Sequence, residues 1–151
     1  MRTVALTVVA VALTGIVAAQ QPAFKRTVLQ QADISVPGRE VVSAVAEFEP
    51  RATPGMHTHF GEEIGYVIEG TFLIEQAGKP PVTLQAGGSF LIPAGTVHNA
   101  TNTGAGKGRI LATYIVEKGK PLATPAFKFD PYTGKPIGEQ VASETSTLPP
   151  T

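Results

Sequence analysis

The chain carries three histidines. Two stand one residue apart, as His57-Thr58-His59, with Glu63 four residues further on. The third, His98, follows Pro93-Ala94-Gly95-Thr96-Val97. Neutral imidazoles with one carboxylate form a donor set for a divalent transition ion: iron, manganese, nickel, copper or zinc. Calcium and magnesium favour oxygen shells and fit less well. On an extended chain, residues two apart share a face. His57 and His59 then project together, and Gly61, Glu63 and Gly65 continue that parity if no bulge intervenes. The two glycines are expected to leave room for an ion and for something bound to it. Phe60, Ile64, Tyr66 and Ile68 fall on the opposite face. A fourth ligand has to come from a strand adjacent in space, and His98 is the remaining histidine. Such a set on a six-coordinate ion leaves open positions for water, dioxygen or a chelating substrate. A His-x-His pair also arises by chance, so its surroundings carry the weight.

The surroundings are β-rich. Sixteen glycines and 13 prolines punctuate the 151 residues. Between the turns lie short runs of β-formers, read as strands at 26–29, 41–48, 64–68, 71–76, 82–85, 89–92, 97–99 and 109–117. Convincing helical periodicity is absent. Strands at this spacing point to a sandwich or small barrel. The run 110–116 is apolar on both faces, which marks a central strand or one covered by a partner or by the tail. Phe48, Phe72, Phe90 and Leu91 are read as core. Tyr66 and Tyr114 are either pocket residues, Tyr66 as a candidate acid or wall, or ordinary barrel residues.

The spacing around the candidate ligands is specific. It runs His57-x-His59, three residues, Glu63, six residues, Gly70; then Gly87, five residues, Pro93-x-Gly95, two residues, His98, three residues, Asn102. In this the chain resembles the cupin superfamily, whose two sequence motifs these are. The resemblance covers 51–102 by motif and 41–117 by strand layout. One fixed position departs: Arg51 stands where the pattern usually has Gly, and neighbouring Gly55 is expected to serve the turn. The resemblance implies an all-β double-stranded β-helix, a cupin jelly-roll barrel, here with a Pro-rich C-terminal tail. It implies His57, His59, Glu63 and His98 as metal ligands, and structural roles for Gly70, Gly87, Pro93 and Gly95. Asn102 is expected to stabilise a turn. Glu62 is expected to point to solvent.

Function follows less directly, because one fold hosts many chemistries. The resemblance is to small cupins of the flavonol-cleaving dioxygenase type. It implies a metal-dependent enzyme, dioxygenase-like or a lyase or decarboxylase, acting on a small oxygen-rich molecule. Glu63 would be the fourth ligand and a candidate catalytic base, with Tyr66 a candidate second catalytic group. The alternative is a non-catalytic barrel binding metal or a small ligand; a third possibility is an empty barrel that binds a partner protein. Composition narrows the partners. Twelve basic and 12 acidic side chains give zero formal charge, which argues against nucleic acid. Zero Cys excludes disulfides, thiolate zinc sites and a Cys nucleophile.

The termini read differently from the centre. Arg2, an apolar run through Val17 and the small residues Ala18-Ala19 have the parts of a secretory signal. Residues 1–19 are therefore expected to be removed, leaving no stable membrane association and a periplasmic protein; an uncleaved anchor is the alternative. Residues 20–40 are expected to form an N-terminal arm and first strand, 41–117 the barrel, 118–138 a docked tail with Phe127, Phe129 and Tyr132, and 139–151 a disordered end. The apolar strand and aromatic tail are consistent with a homodimer.

Overall fold

A computed structural model describes residues 23–130 and 136–140. The expected signal (1–19), Tyr132 and most of the expected disordered end lie outside them. Among the described residues no helix is long and apolar enough to cross a membrane.

The β-formers pair into two five-stranded antiparallel sheets. The first runs β1 (Phe24–Asp33), β2 (Arg39–Phe48), β9 (Gly108–Glu117), β4 (Gly61–Glu69), β7 (Ser89–Ile92). The second runs β10 (Thr124–Pro125), β3 (His57–Thr58), β8 (His98–Asn102), β5 (Thr71–Gln76), β6 (Lys79–Gln85). A further pair joins β11 (Phe127–Phe129) to β12 (Pro136–Gln140). Facing sheets with successive strands crossing between them form the double-stranded β-helix of the cupin fold.

Alternation places the core. On β2, Val42, Ala44, Ala46 and Phe48 are buried, and on β9, Ile110, Ala112, Tyr114 and Val116. β9 lies between β2 and β4, so its double apolarity belongs to a central strand. Phe24, Phe48 and Phe72 stack edge to face, with successive ring centres 4.9 Å apart. Such contacts add about 0.5–1.5 kcal/mol each beyond burial. Leu91 does not join this core: on β7 it points outward, 55% exposed, because Phe90 and Ile92 take the inward parity.

One loop expectation is revised and another is met. Arg51 itself adopts φ +66°, so the position requires the left-handed backbone even without Gly, and Gly55 (φ +83°) supplies a separate turn. Asn102, fully buried, ties that turn down. Its amide donates to the carbonyls of Phe48, Glu49 and Gly106, and its side-chain oxygen accepts from the Gly104 N–H.

Candidate metal centre

The period-2 alternation runs unbroken from His57 to Val67, odd residues inward and even residues outward. His57 sits on β3 opposite His98 of β8. Glu63 sits on β4 between Ile92 of β7 and Tyr114 of β9. Both sheets thus contribute to one point. One ligand atom from each of His57, His59, Glu63 and His98 lies within 4.8 Å of the others, and all four residues are buried. Glu62 is half-buried on the opposite parity.

Each imidazole is aimed by a backbone carbonyl. His57 Nδ1 donates to Gly55 O at 2.7 Å, His98 Nδ1 to Thr96 O at 2.8 Å and His59 Nδ1 to Leu122 O. A carbonyl only accepts, so Nδ1 carries the proton and Nε2 of the neutral ring is bare. The Nε2 atoms of His59 and His98 each lie 3.0 Å from Glu63 Oε2. Two lone pairs facing a carboxylate oxygen repel unless positive charge lies among them. Either protonated rings or a cation meets that demand, and a divalent ion among three Nε2 atoms and a carboxylate meets it with all three Nδ1–H bonds retained. The residues present fit a transition ion.

The electrostatics agree. Burial first, then the neighbouring His98 and His59, push the His57 imidazole down to about 3, so it is neutral at physiological pH. For Glu63, burial works to raise the carboxyl, but positive charge at the His59 and His98 Nε2 positions, donating to Oε2 when those rings are protonated, prevails and holds it well below the usual carboxylate range; a bound cation would supply the same charge. Tyr114 is pushed up by burial and then by the Glu63 charge, against Arg26. Its hydroxyl stays protonated beside the cluster, and its ring lies 4.8 Å from that of His59.

Other contacts hold this arrangement. Thr53 Oγ1 donates to Asn99 Oδ1 at 2.6 Å and accepts from the Gly55 N–H at 3.0 Å. The loop whose carbonyl aims His57 is therefore pinned to the residue next to His98. The tail contributes too: Leu122 is buried, Thr124–Pro125 pair with His57–Thr58, and Ala126 N–H donates to Met56 O.

Three sequence expectations change. Tyr66 is on the outer face, 48% exposed, because β4 keeps its alternation; the tyrosine beside the ligands is Tyr114. Gly61 and Gly65 do not leave an open chamber. A Cβ on Gly61 would come within 2.0 Å of Ile115 O, and one on Gly65 within 2.0 Å of Cζ of Phe90. The glycines admit strand β9 and the Phe90 ring. Beside the cluster there remains a cavity of about 20 Å³, lined by His57, Glu63, His98, Tyr114, Phe90 and Arg26 among others. That is room for one or two water-sized groups, far short of a flavonol. Sequence reasoning missed Arg26, Asn99, Thr53 and the Leu122 carbonyl.

The double-stranded β-helix and its four convergent ligands define a class, and comparison with known proteins agrees. Residues 44–114 match the profile of the cupin domain; together with the fold this supports the cupin superfamily. The chain is 35% identical over 79 residues to the HTH-type transcriptional regulator PuuR of Escherichia coli (strain K12), a match that spans 52% of this chain and 42% of the regulator. The chain thus spans less than half the length of the curated relatives it matches. Among solved structures, it is similar to an uncharacterised Klebsiella pneumoniae (subsp. pneumoniae MGH 78578) protein with a double-stranded β-helix domain. The TM-score is 0.57, with 20% identity over 71% of this chain and 90% of that one. An oxalate oxidase in complex with the substrate analogue glycolate gives a TM-score of 0.56 and 23% identity over 68% of this chain and 54% of the oxidase. At these identities the structural likenesses show the fold alone.

Proposed function

We propose that this protein is an exported, periplasmic metal-dependent enzyme that acts on a small oxygen-rich molecule. Its chemistry is dioxygenase-like, with lyase or decarboxylase chemistry on the same ligands as the second form of the reading. The observation that carries it is the convergence of bare Nε2 atoms and the Glu63 carboxylate on one buried point. A divalent ion held by His57, His59, Glu63 and His98 supplies Lewis-acid polarisation of substrate oxygens and, if redox-active, a route for electrons to dioxygen. The chain's own residues do the rest. Tyr114 keeps its proton and offers a donor beside the cluster. Glu63 is ionised and supplies the negative charge of the ligand set, held so far down that it is a weak base. Phe90 and its apolar neighbours line the cavity beside the ligands, and their low polarity strengthens the polar contacts there. The cavity limits the substrate to a few heavy atoms.

The likeness to part of a transcriptional regulator supports a second reading, a barrel that binds metal and a small ligand without turnover. For either reading, the outer face of the first sheet supports a homodimer. Ile64 pairs with Leu91 and Thr113, and Tyr66 with Leu111, and Ile64, Tyr66 and Leu91 are exposed. The test of the metal reading is elemental analysis of untagged protein purified without chelator. About one transition ion per chain is expected, lost in His98→Ala. A chain that holds no metal and takes up none on soaking refutes it. Turnover of small hydroxy acids and enediols, read as dioxygen uptake or as product or carbon dioxide release without it, then separates enzyme from binding module.

A further inference from the structure

Among the described residues, one buried side-chain nitrogen lacks a hydrogen-bond partner: Nε of Arg26. Arg26 stands on β1 opposite Ala46, two residues from buried Phe24, and so shares the inward parity. Its guanidinium carbon lies 5.4 Å from the ring centre of Phe24 and 5.7 Å from that of Tyr114. These stacked faces account for where the group packs. The guanidinium also hydrogen-bonds the Tyr114 side chain, which leaves its Nε–H without an acceptor.

Arg26 lines the same cavity as His57, Glu63, His98 and Tyr114. Of the residues lining that cavity, the formally charged ones are Arg26 and Glu63. Tyr114 lies between them, influenced by both. Once the four ligands hold a divalent ion, Glu63 offsets one of its two charges. The remaining positive charge and that of Arg26 then face the same small cavity, where uncompensated charge is costly. The group that relieves both is a monoanion. A guanidinium edge with a free Nε–H matches a planar carboxylate, which accepts through two oxygens in one plane.

We propose that Arg26 is the anion-recognition residue of this cavity, and that the molecule bound beside the cluster is a small carboxylate. The proposal rests on the metal reading above and deepens it. The small cavity favours the smallest acids.

The test is calorimetric titration of acetate and glycolate into the metal-loaded protein. Metal per chain and Tm are measured on every variant. Arg26→Met keeps an unbranched apolar stem over Phe24 and Tyr114 while removing the donors and the charge. Arg26→Lys keeps the charge and loses the Nε–H. The wild type is expected to bind one carboxylate per chain. R26M is expected to bind about 10- to 100-fold more weakly, the range for losing a charge-assisted hydrogen bond, with metal content unchanged. R26K is expected to fall between. If R26M does not fold, R26K decides, with about tenfold weaker binding expected. Equal affinity in wild type and variants overturns the proposal. Full metal content with no carboxylate binding in any form overturns it too and leaves the metal reading intact. Failure to take up metal overturns the metal reading and the proposal with it.

Discussion

The buried His57 makes a quantitative prediction for the metal-free protein. Its imidazole ordinarily titrates at 6.5 and here is pushed down to about 3. Burial is the first cause, and the repulsion of His98 and His59 adds to it. The unfolded chain takes up a proton as pH falls through 6.5, while the folded chain refuses it until about 3. Between those values the unfolded state holds one more proton, so stability rises with pH and is lost on acidification. The slope is about 1.4 kcal/mol per pH unit, and the full interval is worth roughly 5 kcal/mol, a large part of a typical domain's stability. Glu63, held well below the usual carboxylate range, acts in the same direction: its contribution is present above its unfolded value of 4.5 and is lost as pH falls through its folded value. The assay is urea unfolding of chelator-stripped protein at pH 7, 6, 5 and 4, for the wild type and for His57→Gln. The wild type should lose about 2–3 kcal/mol more than H57Q between pH 6.5 and 4.5. Parallel curves for the two proteins would show that His57 accepts its proton freely in the fold and would refute the reasoning.

Other perturbations follow from single contacts. Arg51→Gly relieves a left-handed residue (φ +66°) whose side chain is exposed, and should stabilise by about 1 kcal/mol in denaturant unfolding; destabilisation would mean that the arginine side chain has a role. Asn102→Ala strips partners from three carbonyls and one N–H and should cost about 2–4 kcal/mol, read as a lower Tm; an unchanged Tm would contradict the network. Gly65→Ala places a Cβ within 2.0 Å of the Phe90 ring; it should cost about 1–3 kcal/mol, much of it recovered in a Phe90→Leu background, whereas additive losses would show that the two sites do not touch. Ile64→Glu puts a charge on the outer face of the first sheet and should reduce a dimer to a monomer by light scattering; a wild type that is itself monomeric would refute the proposed pairing.

What the sequence made legible is what alternation alone decides. Two-residue periodicity put His57, His59 and Glu63 on one face, and the structure keeps that parity through Val67. The apolar run on β9 marked a central strand, and β9 lies between β2 and β4. The same parity also assigned Tyr66 to the outer face, so its candidacy for a catalytic role was already in tension with the pattern. Leu91 is the converse case. Its apolar side chain suggested the core, but its place between Phe90 and Ile92 fixes it outward.

What stayed hidden depends on register between strands far apart in sequence. Nothing in the sequence near Gly65 announces that Phe90 will lie across it, because that contact exists only through the β4–β7 pairing. Tyr114 reaches Glu63 only because β9 aligns with β4. The carbonyl of Leu122 has no side-chain signature, and it meets His59 because the tail adds β10 to the edge at β3. Arg26 is the most instructive case. In the sequence it is one more basic residue on an N-terminal strand, and the β1–β2 pairing opposite Ala46 turns it inward. The ligands themselves follow local rules, since two of the three imidazoles are aimed by a carbonyl two residues earlier. The groups that surround those ligands come from β1, β7, β9 and the tail. For that reason a motif spanning 51–102 can announce a metal site and still say little about its substrate. The surroundings of the ligands are set by the partner strands, and measurements on Arg26 and Phe90 will separate candidate functions more sharply than measurements on the histidines.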